Sequence, residues 1–295
     1  MKLAIGIVGL PNVGKSTLFK ILTKQEVPIA NYPFVTIHPN VGVVAAPDER
    51  IKKIAKVIGS KEILPAVLEF VDIAGLVAGA HEGRGLGNQF LAHIREVDAI
   101  LHLIRVFKDK EIIHFEGEIN PLRDLETVLN ELKLKDEESK EKINLLSAKP
   151  QLIVLNGEEQ EAEESLLNKI KFLNYPYVLI NLKEDLPEEN LKKIFEAFYK
   201  LLDLITFFTA NENEARSWFV KKGTKAPQAA GVIHTDFEKK FIKAEVINWE
   251  KLLEAAALAG PGQGAWQRAK QKGWLRLEGK DYVVQEGDVM VIRHS

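Results

Sequence analysis

Residues 4–20 read AIGIVGLPNVGKSTLFK. An apolar run from Leu3 to Val8 leads into Gly9-Leu10-Pro11-Asn12-Val13-Gly14-Lys15-Ser16, a full match to G-x-x-x-x-G-K-S. An amphipathic stretch from Lys15 to Thr23 follows, so the loop lies between a strand and a helix, as phosphate binding requires. Its glycines let the backbone curl so that N–H groups converge on phosphate oxygens, and the helix adds the positive end of its dipole. Lys15 then reaches the β- and γ-phosphates, and the Ser16 hydroxyl is a Mg²⁺ ligand. Asn12, Val13, Gly14 and Thr17 complete the nucleotide cradle. A chance glycine turn with a surface lysine does not meet so many positions in this context.

The rest of the chain sets the bounds. Its 295 residues suit one large domain plus a small one. Hydrophobic residues at 46% and charged residues at 28% are the balance of a soluble globular protein. A net charge of −2 argues against a strongly basic nucleic-acid binder but leaves room for a local basic patch. With no cysteine, disulfides, thiolate chemistry and cysteine zinc sites are excluded. The first residues lack the basic start of a signal peptide, and no apolar stretch approaches the roughly 18–20 residues of a membrane span. The expectation is a cytoplasmic protein without membrane contact, with a monomer favoured.

Up to about residue 204, apolar runs alternate with amphipathic segments, which predicts an α/β domain with a mainly parallel sheet and flanking helices. Strands are expected at Leu3–Val8, Ala66–Val71, Ala99–Val106, Gln151–Leu155 and Tyr177–Asn181, and helices at Lys15–Thr23, Gly87–Val97 and Glu188–Leu202. Between Asn120 and Pro150 the sequence turns rich in Leu, Lys and Glu, with Leu122, Leu125, Leu129 and Leu132 in one helical stripe. This predicts a short helical insertion. From residue 205 to 295 short strand candidates dominate, with a helix near Ala226–Thr235 and a GPGQG loop at 260–264, so a small α+β domain is expected there.

Two further segments narrow the class. EFVDIAGLVAGAHEGRGLGNQF places Asp72 at a strand end, where it can hold Mg²⁺ through water, and Gly75, whose N–H can meet the γ-phosphate. NYPFVTIHPNVG carries Thr36 as a candidate second Mg²⁺ ligand; its place between the phosphate loop and D-x-x-G raises it above an ordinary loop threonine. Switch GTPases commonly have glutamine after that glycine, but here it is Leu76, which cannot orient water. His81, in a glycine-rich run, is one candidate for that task. A monovalent cation near Asn12 is another.

The base is read later in the chain. Guanine-specific domains of this class carry N-K-x-D after a late buried strand. Here the matching segment is Asn156-Gly157-Glu158-Glu159, without the lysine and with a longer carboxylate. The turn chemistry of Asn-Gly accounts for part of this. A site built for hydrogen bonds rejects a base that leaves its groups unpaired, which favours ATP over GTP, with Asn156 and Glu159 as base-side candidates.

These segments, with KAPQAAGVIHTDFEKKFIKAEV near the C-terminus, resemble the Obg-like ATPase (YchF) family, and the similarity spans nearly the whole chain. The resemblance implies a P-loop domain in which a hydrophobic residue replaces the catalytic glutamine, followed by a C-terminal TGS domain of β-grasp type. It also implies Mg²⁺-dependent ATP hydrolysis and association with ribosomes, RNA or translation factors, including a role in translation or stress regulation. Family members carry a long coiled-coil arm, whereas here only Asn120 to Pro150 fill that interval; two short helices would reach no more than about 20 Å. The fifth nucleotide motif is also altered, with Lys183-Glu184-Asp185 in its place. The readings that stay open are an ATPase switch with Lys15, Gly75 and His81 as its catalytic set, a GTPase, and a ribosome- or RNA-binding adaptor with nucleotide as allosteric ligand. Lysines 221, 222, 225, 239, 240 and 243 with four interleaved tryptophans suit RNA, or else a solubilised core.

Overall fold

A computed structural model describes residues 3–24, 40–73, 94–138, 145–182, 187–259 and 264–295. In chain order the described strands are β1 (Ala4–Val8), β2 (Val41–Ala45), β3 (Glu62–Leu64), β4 (Val67–Asp72), β5 (Ala99–Arg105), β6 (Gln151–Asn156), β7 (Tyr177–Ile180), β8 (Leu204–Ala210), β9 (Glu214–Lys221), β10 (Phe241–Asn248), β11 (Arg276–Glu278) and β12 (Asp288–His294). The described α-helices are α1 (Lys15–Thr23), α2 (Glu49–Ile58), α3 (Pro121–Glu138), α4 (Glu164–Phe172), α5 (Glu188–Leu201), α6 (Ala226–Ile233), α7 (Thr235–Lys239), α8 (Trp249–Ala259) and α9 (Ala265–Gln271). Among the described residues no helix is long and apolar enough to cross a membrane.

The chain divides into two compact units, Lys2–Ala45 with Val67–Leu202, and Ala46–Ala66 with Asp203–Ser295. The first unit holds a six-stranded sheet in the order β2-β4-β1-β5-β6-β7. All pairs are parallel except the edge pair β2–β4, where the β2 strand, not anticipated from the sequence, runs antiparallel. Every residue of β5 and β6 is buried, the pattern of central strands covered on both faces. Register places Asp72 beside Ile7, His102 beside Val8 and Asn156 beside Arg105. These residues therefore gather at the carboxyl end of the sheet, where ligands of open α/β sheets bind.

Among the described residues, the segment expected as a short helical insertion between Asn120 and Pro150 packs on the domain's own sheet. It opens with the 18-residue α3, about 27 Å long, which is a crossover helix of the domain itself. Leu125 and Leu129 pack with Ile104, Val106, Ile153 and Leu155, so the leucine stripe faces the sheet. The Asp136 carboxylate then accepts from the Leu146 and Ser147 N–H groups at 2.8 Å each, which ties the returning chain to the helix. Residues 145–150 form turns, so no second helix is found there among the described residues.

The second unit holds a mixed sheet in the order β11-β10-β12-β8-β9-β3. A β8–β9 hairpin, a crossover helix and a last strand lying parallel beside the first form a β-grasp arrangement. One segment read as part of the first domain, Ala46–Ala66, belongs to this unit. Within it, β3 adds to the sheet edge beside β9, and α2 packs Ile51, Ile54, Ala55 and Ile58 against Phe208, Ile247, Leu252 and Val289. Asp48 caps α2 by accepting from the Arg50 N–H at 2.9 Å. On the other face of the sheet Ala226, Ala229 and Ala230 of α6 meet Phe207, Trp218 and Val246. Small side chains let that helix approach closely. Trp218 lies in this core, and Trp249, Trp266 and Trp274 pack against the opposite one. The tryptophans are therefore part of the packing of this unit, and the segment before β12 pairs through a single bridge between Lys225 and Val283.

Candidate nucleotide site

The phosphate loop leaves β1 with two glycines that nothing larger could replace. Gly9 has φ 153°, and a Cβ there would lie 2.4 Å from the Leu103 carbonyl oxygen. Gly14, at φ 106°, leads into α1, and a Cβ there would lie 2.8 Å from Asn156 Nδ2. Between them Asn12 adopts the left-handed region at φ 63°, and its Nδ2 donates to the Ile113 carbonyl at 3.1 Å. Lys15 Nζ donates to the carbonyls of Gly9 and Leu10, both at 2.9 Å, and so lies across the mouth of the loop.

Burial shapes the charges here. It pushes the Lys15 ammonium down to about 8, a shift that Asp72 opposes. Burial likewise raises the Asp72 carboxyl above the ordinary range, against the pull of Lys15. His102 is 1% exposed, and burial with the nearby Lys15 charge pushes it down to about 3. It is a neutral imidazole under the loop, and its Nδ1 has no hydrogen-bond partner among the described residues.

A cleft of about 640 Å³ opens beside the loop. One side is formed by Asn12, Gly14, Lys15, Ser16 and Thr17. Facing them are Phe107, Asp109 and Ile112 from the segment after β5, with Asn156 and Leu182 from the ends of β6 and β7. Asn156 holds the two halves together: its Nδ2 donates to the Val13 carbonyl at 2.9 Å and its Oδ1 accepts from the Leu182 N–H at 3.1 Å. Val13 itself is buried and enters through that carbonyl.

Most of the described residues singled out in the sequence come together here. Glu159 does not: it opens a short 3₁₀ turn, Glu159–Glu161, is exposed, and is absent from the described lining of the cleft. Thr36, Gly75, Leu76 and His81 lie outside the described residues. The wall formed by Phe107, Asp109 and Ile112 was not anticipated. The available signal was the arginine in AILHLIRVF, a charged side chain in an otherwise almost wholly apolar strand. Ser16 and Asp72 offer hard oxygen donors, the kind Mg²⁺ takes together with phosphate and water. Among the described residues no group of three or more His, Cys, Asp or Glu gathers into an all-protein metal site.

A glycine loop between a central parallel strand and a helix, with a lysine at its mouth and an aspartate ending the neighbouring strand, defines a P-loop nucleoside-triphosphate-binding protein of the G-domain type. Residues 4–157 match a family model described as 50S ribosome-binding GTPase. Residues 204–295 match the YchF-GTPase_C model, whose description reads "Protein of unknown function". The Ribosome-binding ATPase YchF of Bacillus subtilis is 38% identical over 373 residues, covering 100% of both chains. Because that alignment is longer than this chain's 295 residues, the relative carries segments that are shortened here. The Haemophilus influenzae protein of the same name is 41% identical over 98% of each chain. The solved Schizosaccharomyces pombe YchF GTPase superposes with a TM-score of 0.80 at 33% identity, covering 99% of this chain and 98% of its own. The chain belongs to the YchF family.

Proposed function

We propose that this protein is a Mg²⁺-dependent ATPase switch that works at the ribosome. The bacterial relatives are named as ribosome-binding ATPases, whereas the fission yeast relative is called a GTPase, so the base is the question the chemistry has to address. One observation carries the adenine reading. Where guanine-binding motifs place a lysine, this chain has Gly157 at φ 153°, and a Cβ there would lie 2.6 Å from Val106 Cγ2 and 2.9 Å from the Phe107 nitrogen. A lysine there would force Val106 and the backbone at Phe107 to shift, and the Glu159 carboxylate points the same way by being exposed outside the described cleft lining.

In this reading Lys15 and the loop N–H groups hold the phosphates, and Ser16, Thr36 and Asp72 would hold Mg²⁺, which would supply positive charge beside the phosphoryl group. The Gly75 N–H meets the γ-phosphate and His81 orients water in place of the glutamine that Leu76 replaces. A monovalent cation beside Asn12 is a compatible helper, because Ile113 occupies the Asn12 Nδ2 and leaves Oδ1 as an acceptor. The protein acts as a cytoplasmic monomer, and ribosome contact is assigned to the β-grasp unit.

A second reading, GTP hydrolysis, has Asp109 in its favour. It supplies a carboxylate to the described cleft lining, and its Oδ1 accepts from the Glu111 N–H at 2.9 Å, leaving Oδ2 for a base. Competition binding of ATP and GTP with Mg²⁺, on wild type, Glu159→Ala and Asp109→Asn, separates the two. ATP preference that survives Glu159→Ala, with turnover stimulated by ribosomes, supports the proposal. GTP preference lost in either variant would move the assignment to a GTPase. Equal ribosome affinity with and without nucleotide would remove the switch.

A further inference from the structure

Arg105, the last residue of β5, is fully buried at 0% exposure. A buried guanidinium is costly unless its donors are satisfied. Here the fork reaches three backbone carbonyls: Nε donates to Phe107 at 3.1 Å, Nη1 to Ile112 at 3.0 Å and Nη2 to Asp109 at 2.9 Å. The guanidinium carbon also lies 4.4 Å from the centre of the Phe107 ring. Those three acceptors are the same three residues that the segment contributes to the cleft wall.

We infer that Arg105 is a positioning residue for nucleotide binding, which sets the base-side wall of the cleft by holding Phe107, Asp109 and Ile112 through their carbonyls. All three carbonyls are committed to the arginine and the Phe107 ring packs over its guanidinium, so the course of the segment along the cleft is fixed from within. The same segment is tied to the phosphate loop where Asn12 donates to the Ile113 carbonyl. Its far end is fixed by buried His114, whose Nε2 lies 2.8 Å from the Asp124 carboxylate of α3. Arginine is needed because three acceptors in different directions require a planar, many-donor fork, and a lysine offers a single nitrogen.

The inference rests on the reading of the cleft as a nucleotide site, but not on which base it takes. The test uses Arg105→Lys and Arg105→Met in the full chain, with fluorescent ATP, ADP and GTP as probes. Steady-state kinetics and amide exchange over 106–113 are read alongside. Because the wall lies on the base side, affinities for the triphosphate and the diphosphate should fall together by about tenfold. KM should rise while kcat stays within about twofold of wild type. Exchange should rise across 106–113 and stay unchanged in β6.

Faster exchange with unchanged affinity would overturn the inference, as would exchange that does not change. Should Arg105→Met fail to fold, Phe107→Ala leaves the arginine in place and must itself weaken both nucleotides; wild-type affinity in that variant also overturns the inference. A wild-type protein that prefers GTP sinks the adenine reading alone, since the Arg105 effect is then read on GTP. Binding of neither nucleotide overturns both.

Discussion

The side chain of Asn156 binds the carbonyl of Val13, at 2.9 Å, and through it the end of β6 holds the phosphate loop. Its other atom accepts from the Leu182 N–H at 3.1 Å, so one buried amide satisfies groups on two separate segments. The residue expected to read the base is first a brace. Asn156→Ala would leave a buried N–H and a buried carbonyl without partners, a loss of about 1–3 kcal/mol. ATP and GTP binding should weaken to a similar degree, because the loop rather than the base contact is disturbed. Urea unfolding and nucleotide titration check both; an unchanged midpoint would remove the bracing role.

Lys15 makes nucleotide affinity depend on pH. Its folded value, about 8, lies below the ordinary 10.5 because burial disfavours the charged form. Between those values the unfolded chain binds more protons, so this group makes stability rise with pH across that window and contributes no such slope below it. Phosphate binding has the opposite demand, since it needs the ammonium. ATP affinity should therefore fall as pH rises through about 8, with proton uptake on binding above that point. Calorimetry in two buffers of different ionisation enthalpy measures the uptake. Lys15→Arg, which stays charged, should flatten the profile.

Gly157 prevents a simple return to guanine recognition. Gly157→Ala places a methyl against Val106 and the Phe107 nitrogen at an unfavourable φ of 153°, with an expected destabilisation of about 1–3 kcal/mol. The double change Gly157→Lys with Glu159→Asp should gain no GTP preference, since the wall has to move before lysine can enter. Thermal unfolding and competition binding test this, and a double variant that selects GTP would contradict it.

The β-grasp unit should not fold from its C-terminal sequence alone. Residues 203–295 lack α2 and β3, so Phe208, Ile247, Leu252 and Val289 lose the cover of Ile51, Ile54 and Ile58. Arg50 is also lost, and with it the ion pair to Glu286, whose other oxygen accepts from the Thr206 N–H at 2.9 Å. The isolated segment should bind ANS and unfold without cooperativity. Fusing residues 46–66 to it should restore a cooperative transition. A segment 203–295 that unfolds sharply by itself would refute this.

What could be read from the sequence alone was whatever is written locally. The phosphate loop declares itself because its glycines, lysine and serine must be contiguous, and α1 was read with its observed limits, Lys15–Thr23. The buried parallel strands declare themselves through unbroken apolar runs, and the missing lysine of the base motif is plain at Gly157. Tertiary structure decided what depends on pairing between distant segments. An apolar helix pattern does not say which core it will cover, so Ala46–Ala66 looked like part of the first domain and the α3 stripe looked like an insertion. The cleft wall was hidden for the same reason: Arg105 reads as an oddity in a strand until the chain folds back and brings three carbonyls within reach of one guanidinium.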